Sequence, residues 1–284
     1  MPMLYYILIL KVNFLVSGKT PGLNSESVTI NFNFADKIMI ISSIILFHLL
    51  PILMNNSFYY KKFLNFIKKN IIEKTFVTFS NFINLKTNYK ISLNKKIPVS
   101  AGLGGGSADA AVVLQGLNLL NKKKIKQKDL FKIAMKIGFD VPACLYNKNV
   151  FFSGHGQILS KAPKIPQFSI LLINPRKELS TKKIFSLYKS KKSKKISNLK
   201  YKNFFSWILK QNNDLQKYSE KFVPEIKEML IFLNSSKNCF FSKMTGSGPT
   251  VFGLFRKKID AKKLNLLLKK KHPKWWSGVY SIKT

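Results

Sequence analysis

Arginine is almost missing from a strongly basic chain. Of 49 basic residues among 284, only Arg176 and Arg256 are arginine, against 12 acidic residues and a formal net charge of +37. Bidentate reading of phosphates and base edges favours arginine, and the lysines are spread along the chain instead of forming one stripe. A specific nucleic-acid partner is therefore not expected. Lys, Asn, Ile and Phe share A/T-rich codons, so a base-biased coding sequence accounts for the charge more simply. That charge still predicts attraction of anionic ligands and nonspecific polyanion binding at low salt. Cysteine is nearly absent too. Cys144 and Cys239 stand alone, without metal-ligand spacing or a disulfide framework, which fits a reducing compartment.

Long uncharged runs are few. Ile38 to Met54 runs seventeen residues without a formal charge, the short limit for a membrane span. Ser42, Ser43, His48 and Pro51 interrupt it, and its β-branched richness reads better as two buried strands with a turn. The N-terminal stretch resembles a signal h-region, but no basic residue precedes it and no A-x-A site follows. A cytoplasmic protein without a membrane segment is expected.

Glycine is modest in number, 14 residues, yet four fall within positions 102–106. They lie in Ile97-Pro98-Val99-Ser100-Ala101-Gly102-Leu103-Gly104-Gly105-Gly106-Ser107-Ala108-Asp109-Ala110-Ala111. Successive backbone N–H groups at such a run can turn toward one anion, and side chains there would block its approach. The residues that follow, from Ala108 into Val112, Val113 and Leu114, predict a buried helix capped by Ser107 or Asp109, whose first-turn amides add to the cradle. A Walker loop does not fit, because Ser107 stands five residues after Gly102 and Asp109 five after Gly104. A dinucleotide fingerprint fails at the same two positions. A flexible linker would have polar flanks, whereas Lys90-Ile91-Ser92-Leu93 alternates like a strand before the loop.

The run resembles the signature loop of the GHMP small-molecule kinases, a family that includes galactokinase, homoserine kinase and mevalonate kinase. Three further segments carry the resemblance. Lys11-Val12-Asn13-Phe14-Leu15 is similar to the family's opening strand, and Gly138-Phe139-Asp140-Val141-Pro142 to the segment holding its catalytic aspartate. Lys243-Met244-Thr245-Gly246-Ser247-Gly248-Pro249-Thr250 is similar to its C-terminal loop. The four segments occur in order across most of the chain.

The resemblance implies an α+β, two-domain GHMP kinase fold. Its N-terminal domain is like the second domain of ribosomal protein S5, and its C-terminal domain is ferredoxin-like. Pro163 and Pro166 punctuate the chain before the strand Phe168 to Ile173, which sets the expected domains at 1–162 and 163–284. The resemblance also implies an ATP-dependent kinase, with Pro98 to Ala108 around the ATP phosphates and Ser107 on Mg2+. The acceptor implied by the triple glycine is a small cytidyl diphosphate alcohol, with another small-alcohol kinase of the family or a noncatalytic nucleotide-binding relative as alternatives. Monomer and homodimer both remain open.

Phosphoryl transfer asks for a charge-compensating cradle, an oriented hydroxyl and a proton acceptor. Asp140 is the candidate base, and Lys11 the cation that keeps it ionised. Taken alone, Asp140 better suits a turn before Val141-Pro142, and the motif set reverses that preference. Lys11 is the sole charge between Met3 and Gly18, so it calls for a partner or an exit to water. Asn13, two residues on, shares its strand face and can bond the acceptor. Members that bind a cytidyl group carry Gly-Tyr-His in the early loop, where this chain has Gly22-Leu23-Asn24. Asn24 retains a donor and an acceptor for a base edge, while Leu23 offers no aromatic face. Ser180-Thr181-Lys182-Lys183-Ile184-Phe185 resembles the segment whose threonine and phenylalanine contact substrate, though Phe185 equally suits a core. Gly246, Ser247 and Gly248 complete the expected substrate residues. His155, in Ser153-Gly154-His155-Gly156-Gln157, reads as part of a hairpin turn after a Val150-to-Phe152 strand.

Overall fold

The computed structural model describes residues 26–30, 70–84, 89–93, 97–121, 124–146, 150–153, 158–161, 165–188 and 204–282. Lys11, Asn13, Asn24, His155 and the apolar run 38–54 lie outside them. The described residues fall into two compact units. Those of Ile97–Gly105 and Asn147–Thr284 belong to one, and those of Ile9–Lys96 and Gly106–Tyr146 to the other, so the chain crosses between units inside the glycine run.

In the second of these units, β1 (Glu26–Ile30) runs parallel to β2 (Tyr89–Leu93), from Glu26↔Tyr89 to Ile30↔Leu93. Helix α1 (Ile71–Ile83) opens on Asn70, whose side chain accepts from the Ile72 amide at 3.0 Å, and closes on Asn84 in the left-handed conformation, as capping chemistry favours. Helix α2 (Gly105–Leu120) buries Ala110, Ala111, Val113, Leu114 and Leu117. Helix α3 (Gln127–Ile137) buries Leu130, Ile133, Ala134 and Ile137, the i, i+3, i+4, i+7 stripe of an amphipathic helix. It packs on α1 and on the short α4 (Val141–Tyr146). Lys74 Nζ donates to the Ile137 carbonyl at 2.7 Å, a cation placed at a helix C-terminus.

The other unit holds the antiparallel pair β3 (Val150–Ser153) and β4 (Ile158–Lys161), in keeping with the expected hairpin. Its main body is a four-stranded antiparallel sheet in the order β6-β7-β5-β8, from β5 (Phe168–Asn174), β6 (Cys239–Met244), β7 (Val251–Phe255) and β8 (Trp276–Ile282). Between β5 and β6 come α5 (Thr181–Leu187), α6 (Phe204–Ile208), α7 (Gln216–Phe222) and α8 (Glu225–Asn234), and α9 (Lys258–Lys271) precedes β8. This is the ferredoxin-like arrangement the sequence led us to expect. Strand β5 is buried along its whole length, and its alternation divides the core. Leu171 and Ile173 join Ile226, Met229, Leu233, Ala261 and Leu268 from α8 and α9. Phe168, Ile170 and Leu172 join Phe204, Trp207 and Ile208 from α6 on the opposite face.

Candidate functional site

The glycine run and the Thr245–Thr250 loop interlock within the sheet-bearing unit. Gly102 has φ +70°, and a Cβ there would meet the Gly248 carbonyl oxygen at 2.5 Å and the Thr245 carbonyl oxygen at 2.8 Å. Only glycine permits that approach. Thr245 Oγ1 donates to the Gly102 carbonyl at 3.0 Å, and the Thr250 amide to the Ala101 carbonyl at 3.4 Å. Ala101 is buried, and Leu103 packs on the cluster around Phe204 and Trp207. Pro98 is half-buried, while Val99 and Ser100 are exposed, with Ser100 at φ +54°.

Past Leu103 the surroundings change. Among the described residues, a Cβ built on Gly104 or Gly105 would meet nothing within 4 Å, so those residues leave open space at the backbone where α2 begins. Helix α2 starts at Gly105, directly after Gly104 with φ +67°. The expectation that Ser107 or Asp109 caps this helix is therefore corrected. Both lie inside it, because the positive φ at Gly104 ends the loop earlier than the small polar residues suggested. The consequence is that the amides of Gly105, Gly106 and Ser107 form the first turn, where α-helical geometry offers no intrahelical acceptor and the dipole favours an anion. Gly104 and Gly105 thus leave room where a phosphate would approach. Ser107 is half-buried in that turn, with its hydroxyl as the candidate Mg2+ ligand. Mg2+ keeps water and phosphate oxygens in most positions, so one protein hydroxyl suits it.

The second loop is held from several directions. Asn213 donates to the Met244 and Gly246 carbonyls, each at 2.8 Å, and accepts from the Leu215 amide. Ser219 Oγ donates to the Ser247 carbonyl at 2.9 Å. Asn174, at the end of β5, donates to Thr250 Oγ1 at 2.8 Å, with both side chains buried. Thr181 and Ser247 share a hydrogen bond of 2.9 Å, so two of the expected substrate residues are neighbours. Phe185 is half-buried against the α8–α9 core. Asn174, Asn213 and Ser219 were not singled out from sequence, since nothing local marks a residue whose partner lies dozens of positions away.

Asp140 precedes α4 in the helical unit. Its carbonyl accepts from the Cys144 amide at 3.2 Å, and burial pushes its carboxyl up to about 6. Burial, with the nearby Asp140 and Asp109 carboxylates, pushes the Cys144 thiol up to about 12, so Cys144 is a packing residue and not a nucleophile. Among the described residues, no helix is long and apolar enough to cross a membrane.

A glycine run that ends at a helix start and, within the sheet-bearing unit, a second glycine loop on a ferredoxin-like sheet are features of a class of small-molecule phosphotransferases. Residues 65–148 match the family model described as GHMP kinases N terminal domain, and residues 201–271 match GHMP kinases C terminal. The chain belongs to the GHMP kinases. Its curated relatives are narrower in kind. The 4-diphosphocytidyl-2-C-methyl-D-erythritol kinase of Ehrlichia ruminantium (strain Gardel) is 37% identical over 212 residues, covering 72% of this chain and 75% of that protein. The kinase of the same name from Wolbachia pipientis wMel is 36% identical over 196 residues, 68% of this chain and 67% of its own. A crystal structure of 4-(cytidine 5'-diphospho)-2C-methyl-D-erythritol kinase shares the fold with TM-score 0.61 at 23% identity, covering 76% of this chain and 80% of that one. The homoserine kinase from Cytophaga hutchinsonii ATCC 33406 shares it with TM-score 0.59 at 19% identity, covering 77% of each chain.

Proposed function

We propose that the protein transfers the γ-phosphoryl group of ATP to the 2-hydroxyl of 4-diphosphocytidyl-2-C-methyl-D-erythritol. The observation that carries this reading is the open space that the described residues leave at Gly104 and Gly105, where α2 starts. There a phosphate meets backbone amides and, among the described residues, no side chain. In this reading the first-turn amides of α2 hold the ATP phosphates, and Ser107 holds Mg2+. When bound, the metal supplies positive charge to the phosphate oxygens.

Asp140 accepts the proton of the acceptor hydroxyl as that oxygen bonds to the γ-phosphorus and the bond to the bridging oxygen breaks, leaving ADP. A carboxyl pushed to about 6 is ionised at neutral pH and basic enough to take a proton, the balance general-base catalysis favours. Lys11 supports the carboxylate, and Asn13 bonds the acceptor. Asn24, Thr181, Phe185 and the Gly246–Gly248 loop bind the rest of the acceptor. The same reading divides the chain into 1–162, with the phosphate loop, and 163–284.

ADP release by the purified protein with Mg2+ tests this, comparing the cytidyl methylerythritol acceptor, homoserine and no acceptor, with Asp140→Asn alongside. Turnover confined to the cytidyl acceptor and reduced at least a hundredfold in Asp140→Asn is expected. Turnover on homoserine alone would move the assignment within the family, and ATP binding without turnover on either acceptor would overturn the catalytic reading.

A further inference from the structure

We propose that Arg176 binds a diphosphate group at the rim of the second glycine loop, an inference that rests on the phosphotransferase reading above. Only two of the 49 basic residues are arginine. A coding sequence biased toward A and T exchanges arginine for lysine by one base, so each guanidinium that remains asks for a reason an ammonium does not meet. Arg256 has such a reason inside the fold. Its guanidinium lies over the rings of Phe205 and Phe240, 5.1 and 5.8 Å from their centroids, a planar cation on aromatic faces. Arg176 has no such support. The residue is exposed and its side chain, among the described residues, forms no hydrogen bond, ion pair or ring contact. The neighbouring Lys177, not Arg176, pairs with Glu225.

The backbone sharpens the question. Arg176 has φ +58°, in the left-handed region that strains a residue with a Cβ and leaves glycine free. This chain meets the same requirement with asparagine at Asn84, where φ is +52°, and asparagine is among the side chains that tolerate it best. A guanidinium at position 176 is therefore neither the most readily encoded charge nor the easiest residue for the turn.

The fold fixes where this arginine stands. The Arg176 amide donates to Asn174 Oδ1 at 2.7 Å, while the Asn174 side-chain amide donates to Thr250 Oγ1 at 2.8 Å. Further on, Thr181 shares its 2.9 Å hydrogen bond with Ser247. The segment 174–181 is thus tied at both ends to the second glycine loop, and Arg176 lies between the ties. A guanidinium presents parallel N–H donors to paired oxygens in one plane, which a lysine ammonium does not. A diphosphate offers such oxygens, and the proposed reaction brings two of them, one in ATP and one in the acceptor.

Titration calorimetry of the full chain with inorganic pyrophosphate, at high salt to suppress nonspecific attraction, tests the contact without turnover. Arg176→Lys, which keeps the charge, should weaken pyrophosphate binding about tenfold. Arg176→Asn, which suits the turn and removes the charge, should weaken it at least as much while melting no lower than wild type, an outcome a merely structural arginine would not give. Kinetics locate the source. The KM that rises in Arg176→Lys, for the cytidyl acceptor or for ATP, marks which diphosphate the guanidinium holds. Pyrophosphate that fails to bind wild type, or binds wild type and Arg176→Lys alike, overturns the contact even where phosphotransfer proceeds, as do unchanged KM values for both substrates. Binding that depends on Arg176 without phosphotransfer supports the contact and overturns the assigned reaction.

Discussion

Asp140 is a group whose usefulness and stability conflict. Burial raises its carboxyl from 3.8 to about 6, so the folded chain binds its proton more tightly than the unfolded chain. By linkage, the stability associated with this group is greatest below pH 4 and falls as pH rises from about 4 through 6, reaching a cost of about 3 kcal/mol at neutrality. Asp140→Asn is expected to raise stability by about 1–3 kcal/mol at pH 7 and to change it little at pH 4, which urea melts at the two pH values would measure. Activity should run the opposite way: wild-type turnover should climb as pH passes through about 6, while the variant stays inactive throughout. A more stable variant that also retained turnover would remove Asp140 from the reaction. The role proposed for Asp140 comes from its neighbours Gly138, Phe139, Val141 and Pro142, which form a recognisable run. Its raised pKa was not legible in the sequence, since desolvation depends on what α3 and α4 pack around it.

At the scale of elements, two glycines of one loop have different reasons to be glycine. Gly102→Ala would drive a methyl group into the backbone of Thr245 and Gly248 at a positive φ, and it should lower stability by about 2–4 kcal/mol or prevent folding. Among the described residues, Gly105→Ala meets nothing within 4 Å, and alanine suits a helix start, so its thermal melt should match wild type within a degree or two. Its affinity for ATP, read by titration calorimetry, should fall at least tenfold, because the methyl group occupies the space a phosphate would take. A Gly105→Ala protein that bound ATP normally would remove the cradle from the mechanism. The glycine spacing exposed this loop in the sequence because a steric requirement leaves a compositional mark. The helix start was misread for a related reason. Ser107 and Asp109 are good cap residues by chemistry, but the positive φ of Gly104 decided the boundary. The braces of the second loop were not legible at all. Asn213 and Gly246 are separated by 33 residues, Ser219 and Ser247 by 28, and Asn174 and Thr250 by 76, distances over which no periodicity signals a partner.

For the whole molecule, the net charge of +37 acts separately from the site. Binding of a heparin or single-stranded DNA probe, followed by fluorescence anisotropy, should weaken by about two orders of magnitude or more between 50 and 300 mM salt, as counterion release dictates. The KM for ATP, set by local backbone contacts, should move far less. Strong probe binding that survived high salt would show a nucleic-acid site that the scarcity of arginine argues against. The interlock between the loops has a further consequence in time. Thr245 bonds to a carbonyl 143 residues earlier in the chain, and a ribosome adding 5–20 residues per second needs about 7–30 s to cover that interval. Throughout it, the segment at Gly102 has been synthesised and its partner has not. During synthesis this protein therefore carries an unfinished joint, and anything that shields residues 97–105 from premature pairing acts in that window.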